Sequence, residues 1–134
     1  MNVESEHRQV ILVLDDIEET RYLTEKMLRK NNCCITSARD EEDAISRARF
    51  ESPDLILMSL GLELDQLLAV AQRIRQKSSF GEDVPIVIFC VRTIPEGAEM
   101  EVNKNVYVTR PDNFNQLRDL LDRLLLFRNH PSTC

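Results

Sequence analysis

The sequence predicts an α/β fold built on a parallel sheet, and three observations predict it. Short apolar runs alternate along the chain with amphipathic helical stretches. The strongest runs are apolar at every position, the pattern of strands buried on both faces. At 134 residues, with 43% hydrophobic and 30% charged residues, the chain has the size and composition of one globular domain with a well-covered core.

Val10-Ile11-Leu12-Val13-Leu14 is the first such run. Ile17 to Lys30 follows as a helix, with Leu23, Met27 and Leu28 at helical spacing. Cys34 to Ala38 is a weaker strand signal. Asp40, an N-cap residue type, opens a helix to Phe50 carrying Ala44, Ile45 and Ala48 on one face. Leu55-Ile56-Leu57-Met58, after Pro53-Asp54, is the third strand. Leu64, Leu67, Leu68, Ala71 and Ile74 draw the next helical stripe. Ile86 to Val91 is the fourth strand, with Pro85 at its start, where a missing N–H does least harm. From Arg92 to Asn105 the rhythm breaks. Pro95 and Gly97 disfavour a helix interior, so a loop with at most a short helix is expected. Val106-Tyr107-Val108 is a weaker strand, and Phe114, Leu117, Leu121 and Leu124 mark a last helix after Asp112. That helix also carries Leu120, Leu125, Leu126 and Phe127. This is a wide core stripe, or alternatively a second apolar face for a partner or another copy. The expected organisation is a polar extension at 1–8, one domain over 9–128 and a tail at 129–134. Right-handed crossovers join the parallel strands.

Composition excludes several function classes. Lys plus Arg is 17 and Asp plus Glu 23, a net charge of −6, which suits neither nucleic acid nor an anionic membrane. No apolar run approaches the length of a membrane span, and the polar Met1 to Gln9 is not a signal peptide. The four cysteines (Cys33, Cys34, Cys90 and Cys134) form neither a disulfide framework nor a zinc motif, and His7 and His130 lack partners. A reduced, cytoplasmic protein is expected, with Cys33 and Cys34 as packing residues.

In an open parallel sheet, ligands gather beyond the carboxyl ends of the strands. The residues closing each run are therefore the site candidates: Asp15-Asp16, Ser59, Cys90 and Thr109-Arg110-Pro111.

These are the residues through which the chain resembles the response-regulator receiver domain of two-component, phosphorelay signalling, over Gln9 to about Leu126. Val-Ile-Leu-Val-Leu-Asp-Asp is similar to the family's first strand and acidic pair. Pro53 to Met58 resembles the approach to its phosphorylated aspartate. Tyr107 to Pro111 is similar to its segment of aromatic residue, lysine and cis-linked proline. The resemblance implies a flavodoxin-like (βα)5 fold, five parallel strands in the order 2-1-3-4-5 with helices on both faces, and a fourth helix that here is short or disordered. It also implies a site in which the acidic pair holds Mg2+, aspartate accepts the phosphoryl group, and a Thr or Ser and a Lys bind its oxygens.

Carried over residue by residue, that site is degenerate. Asp15 and Asp16 match, but Ser59 takes the phosphoacceptor position, Cys90 the Thr/Ser position and Arg110 the lysine position. Tyr107 matches the aromatic that swings when the family signals. Glu63 stands where the family usually has Pro, and Asn103 where it usually has Gly, so Asn103 is expected to take the left-handed conformation that Gly would supply. A serine hydroxyl, unlike a carboxylate, needs a positioned base to attack phosphorus. One anionic metal ligand is gone, so no catalytic residue and no cofactor is expected beyond weak Mg2+ binding at Asp15 and Asp16. Cys90 is a poor phosphate ligand. Arg110 is expected to reach Asp15 or Asp16 and balance their charge. The plainer alternatives are that the acidic pair caps the first helix, that Tyr107 is a half-buried edge aromatic, and that Cys90 is core.

The expected function is therefore a non-enzymatic pseudo-receiver that binds a protein partner: a histidine kinase, another regulator or an output protein. It could also pair with itself through the last helix. Because the chain ends soon after that helix, no output domain is expected: either the protein acts through others, or the chain is a fragment of a longer one. The alternative is an active receiver phosphorylated on Ser59 or another residue. A small flavodoxin-like ligand binder is weaker, since Gly61, Gly81 and Gly97 form no phosphate-cradling loop.

Overall fold

The computed structural model describes residues 9–29, 33–78, 80–89 and 91–128, with backbone alone at 126–128. Its strands are β1 (Val10–Asp15), β2 (Cys34–Ala38), β3 (Leu55–Ser59), β4 (Ile86–Phe89), β5 (Glu99–Asn103) and β6 (Val106–Thr109). They form one six-stranded sheet in the order β2-β1-β3-β4-β6-β5. The five strands expected from the sequence are mutually parallel and lie in the expected order, with β6 as the fifth.

Side chains of the central strands alternate between two cores. Leu12, Leu14, Ile56, Met58, Ile86 and Ile88 face helices α2 (Glu41–Phe50) and α3 (Leu64–Ser78). Ile11, Val13, Leu55, Leu57 and Val87 face α1 (Glu18–Arg29) and α4 (Phe114–Arg128). Burial on both faces is why these strands read as unbroken apolar runs. Each fully buried Leu or Ile contributes about 1.5–3 kcal/mol.

Caps set the helix starts. Asp40 precedes α2 with φ −151° and accepts the Asp43 N–H at 2.8 Å. Gln66 reaches back to the Glu63 N–H at 3.0 Å before α3, half of a capping box. So Glu63, in place of a proline, still serves a helix entry. Before α4 it is Asn113, not Asp112, whose side chain accepts an N–H, from Gln116 at 3.0 Å. The stripes shift slightly from the expected ones. In α1 the buried face is Thr24, Met27 and Leu28, while Leu23 is exposed. In α4, Leu117, Leu120, Leu121 and Leu125 are all buried in the core. These leucines are unavailable to a second copy. Phe114 remains as an exposed large apolar residue of that helix, and the side chains of Leu126 and Phe127 lie outside the described ones.

The largest departure falls in the segment 92–105. No helix forms there. Residues 91–98 make a loop with Val91 and Ile94 buried, and β5 then pairs antiparallel with β6. Pro95 and Gly97 exclude the helix as expected. What adds a strand is the alternation Glu99-Met100-Glu101-Val102, a period of two. A tight turn at Lys104 and Asn105 closes the hairpin, with a bulge between Glu101 and Asn103. The left-handed backbone position is Asn105, at φ 58°, not the expected Asn103, which lies in β5. Asn105 Nδ2 donates to the carbonyls of Glu82 and Asp83, at 2.9 and 3.1 Å. The buried Arg75 guanidinium donates to the carbonyls of Gly81, at 2.7 Å, and Asn105, at 3.3 Å, so the hairpin tip is fastened to α3. Among the described residues every peptide bond is trans, including the one before Pro111 that the resemblance implied to be cis.

Candidate functional site

The carboxyl ends of β1 and β3 meet where the sequence places the site. Asp15 and Ser59 are register partners on adjacent strands, and paired residues of parallel strands point to the same face. Ser59 is half-buried. The only other acidic residue next to β3 within its approach, Asp54, sits at the opposite end, where its carboxylate accepts the Val10 N–H at 2.8 Å.

Asp15 is 1% exposed and its carboxylate is already engaged. Oδ1 accepts the Ile17 N–H at 2.9 Å, and Oδ2 accepts the Thr20 hydroxyl at 2.8 Å. Ile17 O in turn accepts the Arg21 N–H, so Asp15 organises the entry to α1. The capping alternative therefore describes Asp15. Asp16 is exposed.

Arg110 does not reach the acidic pair. Its Nη1 donates to Ile94 O at 3.2 Å, and among the described residues no ion pair joins it to Asp15 or Asp16. Its backbone is committed to the same loop: the N–H donates to Ala98 O at 3.1 Å, and the carbonyl accepts the Gly97 N–H at 2.6 Å. Turning the chain from this loop into β5 takes Gly97 to φ +85°. In place of the expected pairing, the side chain and backbone of Arg110 are both bonded to this loop.

A different cation serves the acidic corner. Arg21 Nη1 donates to the backbone carbonyl of Asp15 at 2.7 Å. Sequence reasoning missed both Thr20 and Arg21. Their signal was spacing: they lie five and six residues after Asp15, at the first turn of a helix that Asp15 itself begins.

Tyr107 is half-buried and packs beside the core under α1 and α4. It is not an edge residue, since Val87 of β4 and Glu101 of β5 flank it. Burial, with Glu101 opposite, pushes its phenol above the ordinary tyrosine value. Cys90 lies outside the described residues, as do 1–8 and 129–134. Cys33 and Cys34 are both half-buried. Burial, and then the carboxylate of Asp122, push the Cys33 thiol up, towards its unreactive neutral form.

Magnesium needs hard oxygen ligands in near-octahedral array. Asp15 spends both carboxylate oxygens on Ile17 and Thr20, and Ser59 offers a neutral hydroxyl. Among the described residues no group of three acidic, Cys or His side chains is placed to hold a metal. With a serine in place of a carboxylate, this donor set is one anionic oxygen ligand short of the magnesium site that the family resemblance implies.

The family model for the response regulator receiver domain matches residues 11–122. The chain belongs to that family. This receiver is 29% identical over 112 residues to the transcriptional regulatory protein KdpE of Staphylococcus aureus, covering 81% of the chain and 46% of that protein. It is 30% identical over 104 residues to the alkaline phosphatase synthesis transcriptional regulatory protein PhoP of Bacillus subtilis, covering 75% and 42%. The receiver thus spans under half the length of these relatives. In fold it is similar to a two-component response regulator from Clostridium difficile, with TM-score 0.69 and 18% identity over 92% of this chain and all (100%) of that one. It is also similar to the receiver domain of a sensor histidine kinase from Pseudomonas aeruginosa, with TM-score 0.67 and 24% identity over 88% and 98%. That structure has magnesium coordinated in its active-site cleft. The chain is therefore a response-regulator receiver domain of two-component signalling with a flavodoxin-like fold. No helix among the described residues is long and apolar enough to cross a membrane.

Proposed function

We propose that this receiver is a pseudo-receiver: a non-enzymatic protein-interaction module that works without phosphorylation. One observation carries this. The residue in register with Asp15 at the end of β3 is a serine, beside a carboxylate whose two oxygens are both engaged within α1's entry. A serine hydroxyl needs a base to attack phosphorus. The nearest candidate base, Asp15, is tied to Ile17 and Thr20. The cation expected to hold the phosphoryl oxygens, Arg110, is tied to Ile94. The module acts in the cytoplasm by binding a histidine kinase, another regulator or an output protein. The family membership and the two regulatory relatives support that class of partner.

Incubation with acetyl phosphate and Mg2+, followed by intact-mass measurement, tests the proposal. No mass gain is expected. A gain of one phosphoryl group that survives acid and maps to Ser59 would establish phosphoserine signalling in its place. An acid-labile gain mapped to another residue would equally overturn the proposal. Titration with Mg2+ should give no saturable sub-millimolar binding.

A further inference from the structure

We propose that β5 receives an extended segment of a partner protein as a seventh strand, one in which apolar and cationic side chains alternate. This deepens the interaction-module function and rests on it.

The backbone supplies the first part. In an antiparallel ladder, alternate residues exchange hydrogen bonds with one neighbour and the residues between them point the other way. Arg110 N–H donates to Ala98 O, which makes Ala98 a bonded position; in the same register Met100, opposite Val108, is the next. Thr109, between them, turns its carbonyl to Val91 N of the neighbouring segment, at 3.4 Å. Glu99 and Glu101 therefore direct their N–H and C=O groups away from β6. Among the described residues no strand lies beyond β5. An open row of this kind is the template for strand addition.

The side chains supply the second part. Glu101 lies opposite Tyr107, on the face covered by α1 and α4, and Glu99 is bonded to Arg123 of α4 at 2.8 Å. Met100 lies opposite Val108, on the other face, and is 42% exposed; Val102, in the bulge, is 36% exposed. The edge thus shows carboxylates at alternate positions and exposed apolar groups between them. The other edge strand, β2, carries no charged residue and is half-buried between helices.

Charge selects the partner. Antiparallel pairing of two β5 strands about a two-fold axis sets Glu101 opposite its own copy, or Glu99 opposite Glu101. Like charges directly opposite are destabilising, and each chain carries a net −6. Arg123 offsets part of the Glu99 charge, while Glu101 is exposed and accepts the Asn105 N–H at 2.9 Å. A strand with Lys or Arg facing the glutamates and Val or Ile beside Met100 satisfies both faces.

The probe is a labelled, end-blocked seven-residue peptide alternating Val and Lys, titrated into the full chain by fluorescence anisotropy. Saturable binding is expected. The Val/Glu counterpart, and a peptide N-methylated at the amides facing β5, should each bind at least tenfold more weakly. Amide exchange at Glu99 and Glu101 should slow at least tenfold on binding. Glu101→Lys should weaken the cationic peptide at least fivefold; if that variant does not fold, the N-methylated peptide decides with the native protein. No binding, equal binding of the N-methylated peptide, or protection mapped elsewhere overturns the edge assignment and leaves the phosphorylation-independent function standing. Concentration-dependent dimers that protect the Glu99 and Glu101 amides without peptide would assign the edge to a second copy, and also overturn it. Phosphoryl uptake, in contrast, overturns the function and not the geometry of the edge.

Discussion

The β1 corner and the β6 corner close the same sheet, and each keeps a charged residue where active receivers have one. At the β1 corner the carboxylate of Asp15 turns inward, onto Ile17 and Thr20. At the β6 corner the guanidinium of Arg110 turns outward, onto Ile94 of the loop that replaces a helix. The difference shows two residues held by separate partners and not by one another, as the proposed pseudo-receiver requires. Each has become a local tie, one for α1 and one for the loop leading into β5. A buried or half-buried charged side chain is held in place where nearby backbone and hydroxyl groups satisfy its hydrogen bonds.

If the two corners are independent, each should break alone. The largest effect is expected at Gly97→Val. The backbone there has φ +85°, and an added Cβ would sit 3.3 Å from an Asp112 carboxylate oxygen. A loss of about 2 kcal/mol is expected in urea unfolding, with β5 amides losing exchange protection first. Asp15→Ala removes the acceptor for the Ile17 N–H and the Thr20 hydroxyl. It should cost about 1–2 kcal/mol by thermal or urea unfolding, with exchange protection lost at the start of α1. Arg110→Met removes one hydrogen bond and should cost about 0.5–1.5 kcal/mol by the same measurement. The cycle combining Asp15→Ala with Arg110→Met then sharpens the contrast. Coupling below about 0.5 kcal/mol is expected; a value well above it would mean that the corners still communicate.

The smallest effect lies away from both corners. The Arg73 guanidinium, bonded to Glu41 at 2.6 and 2.8 Å, holds the Glu41 carboxyl below the ordinary glutamate value. A depressed carboxylate adds stability above its unfolded pKa, and that stability disappears as pH falls through its folded pKa. Glu41→Gln should therefore be slightly less stable than the native chain at neutral pH and indistinguishable from it in acid. Exposure keeps the difference small. Unfolding curves across pH would measure it.

Most of the fold was legible because burial on two faces leaves a plain mark. Val10 to Leu14, Leu55 to Met58 and Ile86 to Phe89 could hardly be anything but central strands. The candidate site was legible as residue types: Ser59 does end β3 beside Asp15. What the sequence hid was direction. Nothing in the letter at position 110 says that Ile94 O will lie nearer than a carboxylate, because that depends on how a loop packs. The strand at Glu99 to Asn103 did have a signal, its two-residue alternation. Pro95 and Gly97 drew attention to what could not form, and away from what could. Asn105 took the left-handed position expected of Asn103 because the strand runs two residues further than a loop would.

The placement of Tyr107 has a mechanical consequence. A border strand can shift sideways because one flank is open. Here β6 is laddered on both flanks, and its hairpin tip is fastened through Asn105 to the carbonyls of Glu82 and Asp83. Displacing that strand would require parting main-chain rungs on one side or the other. The strand beneath Tyr107 is thus braced like a strut, a backbone of fixed shape on which a partner can rest.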